Sequence, residues 1–331
     1  MKKVVIICGG PSSEYDISLL STQSIIDNID FTKYSISVCL ISQNRKCIIK
    51  EIPQSEKISK WKEWNIPFTE ALGKLKNYDV ALLGTHGQFG EDGVLQTYLE
   101  DEKIVYTGSD SYSSRLCMDK YRSSILVKSS TNFSIPETKI VRLRNLKKEL
   151  SKLPLPVFIK PNRNGSSICS YVLRDLSGLD SILKNFYAHH TDEDEILIQE
   201  YIKDMVEVSC GCLEKKDHAF ISLPPIEIVP KVSEFFDYKA KYTKNGSLER
   251  IPAIGISKEQ REKISKLTID IHKLLGCRLY SRSDYLVVED NIYYLETNTL
   301  PGMTNMSLIP QEAYAVGINF KDLISFYIEN S

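Results

Sequence analysis

Arg282, Asp284, Glu296 and Asn298 lie in one stretch, residues 282–303, whose pattern brings them together. Asp284 to Val288 is β-branched and aromatic. Glu289-Asp290-Asn291 has turn chemistry, and Ile292 to Thr297 is a second extended run. A hairpin closed by those turn residues pairs Asp284 with Glu296 and Arg282 with Asn298. Residues directly opposite share a face, so these side chains would project together. Facing carboxylates repel, and a hard dication with oxygen ligands is the simplest charge to set between them. Mg²⁺ takes one or two protein carboxylates and fills its shell with phosphate and water oxygens, which suits this set. A loop of Asp290-Asn291 alone would slip the register and turn the carboxylates apart. A surface hairpin with scattered polar groups is the reading without chemistry.

Other stretches carry chemistry of their own. GGPSSE over 9–14 follows an apolar run, a strand–loop–helix corner suited to an anion or carboxylate. Glu14 there would suit an ammonium group, or would simply complement the helix N-terminus. His86 ends an apolar strand, where ligands gather in open α/β sheets; taken alone, such a residue is more often a hydrogen-bonded structural histidine. Lys160 enters PNRNGSS over 161–167, a small polar loop able to fold over phosphates through backbone N–H groups, or a plain hairpin turn. It is no Walker A loop, and no GxGxxG motif occurs anywhere in the chain. The long polar segment 231–250 contains FFDYKAKY over 235–242, reading as a lid or as a solvated loop.

The elements that must position these residues follow in order. Val4 to Cys8 reads as a buried strand, with Ser12 or Ser13 capping the next helix. Ser35 to Ile41 and Val80 to Gly84 are further strands, and a helix with Val94, Leu95 and Leu99 inward follows. A helix containing Cys117 to Lys120 runs to about Val127. Thr138 to Val141 is extended, and Arg142 to Leu153 reads as an exposed helix. Val157 to Lys160, Glu195 to Tyr201, Glu207 to Leu213 and Ile226 to Val229 are strands. Ser257 caps an amphipathic helix that ends before Gly276, and a helix near 318–328 closes the chain.

Bulk composition leaves an ordinary globular α/β chain. Its 331 residues suffice for two or three domains, with 42% hydrophobic and 26% charged residues. The 42 basic and 43 acidic residues leave a net charge of −1, which argues against a nucleic-acid footprint. Eight cysteines sit mostly in apolar runs without any CxxC, as expected of free thiols in a reducing cytoplasm. No run approaches membrane-spanning length, so no membrane insertion is expected.

Together these stretches resemble the D-alanine–D-alanine ligase family of the ATP-grasp superfamily. The marks, in the family's order, are GGPSSE with Ile17-Ser18, HGQFGEDGVLQ over 86–96, YTGS over 106–109, MDK over 118–120, IKPNRNGSS over 159–167, FDYKAKY over 236–242, Arg282 with Asp284, and LETNTLPGM over 295–303. The resemblance implies an N-terminal Rossmann-like pre-ATP-grasp domain over 1–108. A small central ATP-grasp subdomain would span 109–195, and a C-terminal one with metal site and lid 196–331. It implies ATP and D-amino acids as small-molecule partners, two Mg²⁺ (or Mn²⁺) ions, a cytoplasmic homodimer, and dipeptide synthesis through an acyl phosphate. Asp284, Glu296 and Asn298 would hold metal. Lys120, Lys160, Gly165 and Ser167 would meet phosphates, Gln199, Glu200, Tyr201 and Ile202 adenine, and Glu207 ribose. Glu14 would bind the first ammonium, linked through Ser166 and Tyr242, with His86 and Lys241 beside the substrate. Arg282 and the Gly302 N–H would stabilise an oxyanion, and Ser307 and Leu308 would receive the second substrate's carboxylate. The same scaffold with D-serine or another amino acid as second substrate is the alternative, and a non-catalytic nucleotide binder is a third. The chain departs from the family pattern at Thr97, Asn164, Cys169 and Ser170-Tyr171, mostly on the phosphate loop.

Overall fold

Val4 to Cys8 is apolar without alternation because both of its faces are covered: every one of these residues is fully buried. A computed structural model describes residues 1–54, 56–61, 66–131, 133–165, 167–232, 235, 243 and 246–331. The strand β1 (Lys2–Gly9) lies between β2 (Tyr34–Ile41) and β5 (Val80–Leu83), parallel to both. β3 (Lys46–Glu51) and the two-residue β4 (Ile66–Pro67) extend the sheet beyond β2, antiparallel, giving the order β4-β3-β2-β1-β5. The chain builds β2, β3 and β4 on one side of β1 and then crosses to place β5 on the other, so a crevice opens at the carboxyl ends of β1 and β5. The GGPSSE loop and the loop bearing His86 meet there. Ser18 joins them, its hydroxyl accepting from the Gly9 N–H at 2.7 Å and donating to the Gly84 carbonyl at 2.6 Å.

A second sheet has the order β6-β9-β7-β8, from β6 (Thr138–Arg142), β7 (Val157–Pro161), β8 (Tyr171–Leu173) and β9 (Glu195–Glu200). A third runs β13-β12-β10-β14-β15, from β10 (Val206–Glu214), β12 (Ile226–Pro230), β13 (Ser247–Arg250), β14 (Tyr280–Val288) and β15 (Asn291–Asn298). β11 (Phe220–Ser222) pairs off β10. Its core also takes in Cys117 and Val127 from the helices Ser111–Met118 and Lys120–Ser130, and Ile264, Leu267 and Ile271 from the helix Lys258–Leu274. The closing helix Phe320–Asn330 returns to the first sheet, with Phe320, Leu323 and Tyr327 in its core.

Several expectations change. The helix through Cys117 to Lys120 is two helices broken at Asp119, whose φ of −85° and ψ of 86° leave the helical region. Its carboxylate caps the second helix by accepting the Arg122 N–H. The exposed helix expected over Arg142 to Leu153 is a 3₁₀ turn followed by Leu146–Leu150, and Leu143, Leu146 and Leu150 are buried. The polar segment 231–250 ends in the strand β13, while residues 236–242 of the expected lid lie outside the described residues. Glu14, not Ser12 or Ser13, is the N-cap residue of the helix Tyr15–Asn28; Ser12 Oγ instead accepts the Glu14 N–H at 3.0 Å.

The hairpin is the informative correction. Asp284 pairs with Glu296 and Arg282 with Asn298, as expected, but by another route. The loop is Glu289-Asp290, with Glu289 at φ +49°, and Val288 pairs with Asn291. A β-bulge follows: Tyr285 pairs with Tyr294, Asp284 with Glu296, and Leu295 is the extra residue. Loop and bulge shift the register in opposite senses and cancel.

Candidate active site

The second and third sheets face each other across a cleft of roughly 1000 Å³, part of it open to solvent. β7 and β9 supply Phe158, Lys160, Gln199 and Glu200 from one side, and β10, β14 and β15 supply Glu207, Asp284, Leu286, Leu295 and Glu296 from the other. Phe235 packs edge-on against Phe158 with ring centroids 5.0 Å apart. All nine residues expected at a nucleotide line this cleft: Lys120, Lys160, Gly165, Ser167, Gln199, Glu200, Tyr201, Ile202 and Glu207. Because of the bulge, Leu295 and Glu296 both point into it.

At the floor, Asp284 accepts from Arg282 Nε at 3.0 Å and Arg282 Nη2 at 2.9 Å, from Asn298 Nδ2 at 3.1 Å and from Ser209 Oγ at 2.5 Å. Burial works against the Arg282 cation, but the adjacent Asp284 and Glu296 carboxylates outweigh it, so its pKa rises above the usual guanidinium range. Lys120 Nζ and Lys160 Nζ stand 3.6 and 3.7 Å from the same oxygen, Glu296 Oε2. Lys120 also donates to the Asn164 carbonyl at 2.6 Å. Two opposed carboxylates and an amide oxygen form a hard-donor set for a divalent ion. Among the described residues no group of three or more His, Cys, Asp or Glu forms a closed cage. The remaining positions would fall to water or phosphate oxygens, which fits Mg²⁺.

An adjoining depression of about 300 Å³ is lined by Glu91, Lys120, Asn164, Gly165, Glu296 and Asn298, among others. Glu14 is buried beside it, at the N-cap of the helix Tyr15–Asn28, and makes no side-chain capping bond. Its carboxylate lies against the phosphate loop: a Cβ on Gly165 would stand 2.1 Å from Glu14 Oε1. Only glycine permits that approach. His86 is buried; its Nε2 meets Ser21 Oγ at 2.7 Å, and its Nδ1 meets the Leu300 carbonyl at 3.1 Å and Glu91 Oε1 at 3.4 Å. Burial alone would lower the His86 pKa; the Glu91 and Glu14 carboxylates and the Leu300 carbonyl carry it upward. Burial also raises the Glu91 pKa.

Gly302 and Ser307 lie close together, since a Cβ on Gly302 would sit 2.8 Å from Ser307 Oγ. Ser307 is the N-cap residue of the helix Leu308–Ala315 and makes no side-chain capping bond. Leu308 is buried against Ile226 and Ile228, leaving its backbone N–H as the group a ligand could meet. Ser166, Lys241 and Tyr242 lie outside the described residues. Cys169, where the family commonly has glycine, holds φ +58°, in the left-handed region that favours glycine.

Sequence reasoning missed three contributors. Glu91 stands within a quoted motif and shares a hydrogen-bonded pair with His86. Ser209 reaches Asp284 because β10 pairs with β14, which spacing alone does not reveal. Asp119 gathers Arg163 Nη2 at 2.6 Å, Arg122 Nη1 at 2.6 Å and Asn162 Nδ2 at 3.0 Å, tying the phosphate loop to the helix that starts at Lys120.

Comparison with known proteins bears on the same residues. The family description "D-ala D-ala ligase N-terminus" matches residues 3–109, and "D-ala D-ala ligase C-terminus" matches residues 127–329. A D-alanine–D-alanine ligase of Clostridium botulinum is 35% identical, covering 99% of this chain and 98% of that protein. One from Leptospira biflexa is 36% identical over the same shares. Among solved structures, the VanG D-Ala:D-Ser ligase of Enterococcus faecalis has a TM-score of 0.80 at 30% identity, covering 99% of this chain and 98% of that one. The Bacillus anthracis D-alanine–D-alanine ligase complexed with ATP has a TM-score of 0.76 at 30% identity, covering 100% and 97%.

Proposed function

The chain belongs to the D-alanine–D-alanine ligase family, and from that premise we propose that it joins two D-alanines at the expense of ATP, supplying D-alanyl-D-alanine for peptidoglycan. The observation that carries the reading is the convergence of Asp284, Glu296 and Asn298 with Lys120, Lys160 and Arg282 at one end of a nucleotide-sized cleft.

Lys120 and Lys160 act as point charges on the nucleotide's phosphates, leaving Glu296 as those oxygens arrive. Asp284, Glu296 and Asn298 would hold Mg²⁺, which supplies neutralisation of triphosphate charge. Gly165 and Ser167 cover the terminal phosphate through backbone and hydroxyl donors. Glu14 fixes the first amino acid by its ammonium group, with His86, held by Glu91, beside it; Ser166, Lys241 and Tyr242 are assigned to the same substrate by the family resemblance. That amino acid's carboxylate takes the terminal phosphoryl group and becomes an acyl phosphate. The second amino acid is held by its carboxylate at Ser307 Oγ and the Leu308 N–H. Its amine then attacks the acyl carbon; the developing oxyanion meets Arg282 and the Gly302 N–H, and phosphate leaves. A cytoplasmic homodimer is part of the proposal. Among the described residues no helix is long and apolar enough to cross a membrane.

D-serine is the second reading for the acceptor, favoured by the likeness to the VanG D-Ala:D-Ser ligase. Acceptor choice turns on a few pocket contacts. Phosphate release measured over D- and L-amino acids, singly and in pairs, with mass detection of product, decides it. D-alanine alone should give the dipeptide. A product only with D-alanine plus D-serine selects the second reading, and no ADP formed with any pair sinks both.

A further inference from the structure

One buried carboxylate near Arg282 has no part in the chemistry above. Glu312, on the helix Leu308–Ala315, is fully buried; among the described residues no side chain hydrogen-bonds its carboxyl, and the Gly211 backbone lies close enough to favour its charged form. The fold makes room for it. Beneath it lies Gly211 on β10, where a Cβ would come within 2.7 Å of Glu312 Oε2. Gly211 pairs directly with Arg282 across β10 and β14, so Glu312 hangs over Arg282's own rung, on the face that carries Arg282 and Asp284. A leucine would fill this position without desolvating a polar group; a buried carboxyl without a side-chain partner is costly.

Arg282 gives Nε and Nη2 to Asp284, and among the described residues Nη1 makes no hydrogen bond. Burial drives the Glu312 pKa upward, Arg282 opposes that shift, and Asp284 adds to it. Glu312 lies outside the 4.0 Å ion-pair range of Arg282 while the guanidinium is turned to Asp284. Asp284 is also a proposed metal ligand, and a carboxylate shared with a dication holds a guanidinium less firmly.

We propose that Glu312 is the positioning residue for Arg282, taking the free edge of its guanidinium and keeping it aimed at the cleft once Asp284 is engaged elsewhere. This rests on the reading of Arg282 as an oxyanion donor. The helix that carries Glu312 begins at Ser307 and Leu308, so acceptor binding and Arg282 placement share one rigid element.

The test compares Glu312→Leu and Glu312→Gln, each alone and on an Arg282→Lys background. It reads the melting temperature of the metal-free protein, ADP affinity and kcat. We expect Glu312→Leu to lower kcat about tenfold or more while ADP affinity holds and the melting temperature does not fall, and to add less than about threefold on the Arg282→Lys background. Unchanged kcat with a raised melting temperature would mark a space-filling residue and overturn the proposal. Equal losses on both backgrounds would do the same. Arg282→Lys without effect on kcat overturns both readings together. Silent Glu312 variants beside a damaged Arg282→Lys overturn this one alone. If Glu312→Leu does not fold, Glu312→Gln keeps the volume and carries the same comparison.

Discussion

Glu296 faces two lysine ammonium groups on a single oxygen, and on the proposed reading it gives them up to phosphate. Its removal should therefore damage chemistry more than folding. Glu296→Ala is expected to cut D-alanine-dependent ADP release by on the order of 10³-fold with an unchanged circular dichroism spectrum. Turnover near wild type would remove the metal assignment. Glu14 makes a different claim, because its carboxylate lies against Gly165 and outside the residues lining the larger cleft. Glu14→Gln keeps the shape and loses the charge, and should raise the KM for the first D-alanine roughly 30-fold, about 2 kcal/mol, while the KM for ATP stays within about twofold. Equal changes in both constants would show that the residue acts through the loop alone.

At the scale of elements, the helix Lys258–Leu274 was legible because its signals are local. Ser257 caps it and Gln260 completes the capping box, with both hydrogen bonds present, and Gly276 past its end holds φ +68°. Ser257→Ala should cost about 1 kcal/mol of stability, read in urea, without altering kcat per folded molecule. The Asp284–Glu296 pairing was legible too, though the loop and bulge behind it were not: one turn residue and one extra strand residue trade off without trace in the spacing. β3, the helix Phe68–Leu75 and the helix Leu179–His189 were missed although Phe68, Ala71, Leu72 and Leu75 fall at helical spacing; neither helix has a side-chain cap bond to mark its start. Partnerships between a strand and a helix far along the chain were equally hidden. Glu214 on β10 accepts from His272 at 3.4 Å and from His218 at 2.8 Å, and these bonds, His272 foremost, pull its carboxyl down to about 2. A depressed folded pKa adds stability above the unfolded value of 4.5, lost as pH falls toward 2. Glu214→Gln should therefore flatten the fall in melting temperature between those limits, and an unchanged slope would place acid sensitivity elsewhere.

Among the described residues the chain builds three large cores and a small fourth cluster of Ile226, Ile228 and Leu308, and the cleft lies between the faces of two of its sheets. Lys160 comes from β7 on one side and Glu296 from β15 on the other, so a phosphate chain between them would bridge two bodies that otherwise meet through few elements. The Asp119 cluster is such a meeting point, joining Arg163 and Asn162 of the phosphate loop to the start of the Lys120–Ser130 helix and to Glu195 of β9 through Arg122. A ligand that binds only the folded state stabilises it by mass action, about 2.7 kcal/mol at 100 times its Kd. ADP with Mg²⁺ at that excess should raise the melting temperature by several degrees, since roughly 1 kcal/mol moves a chain of this size by a few degrees or less. Lys160→Ala should abolish most of the rise at the same ligand concentration. Asp119→Asn, which loosens the joint without touching phosphate, should reduce it by less. A full shift in Lys160→Ala would mean that the nucleotide binds without spanning the cleft, and the joining of the two sheets would then owe nothing to its phosphates.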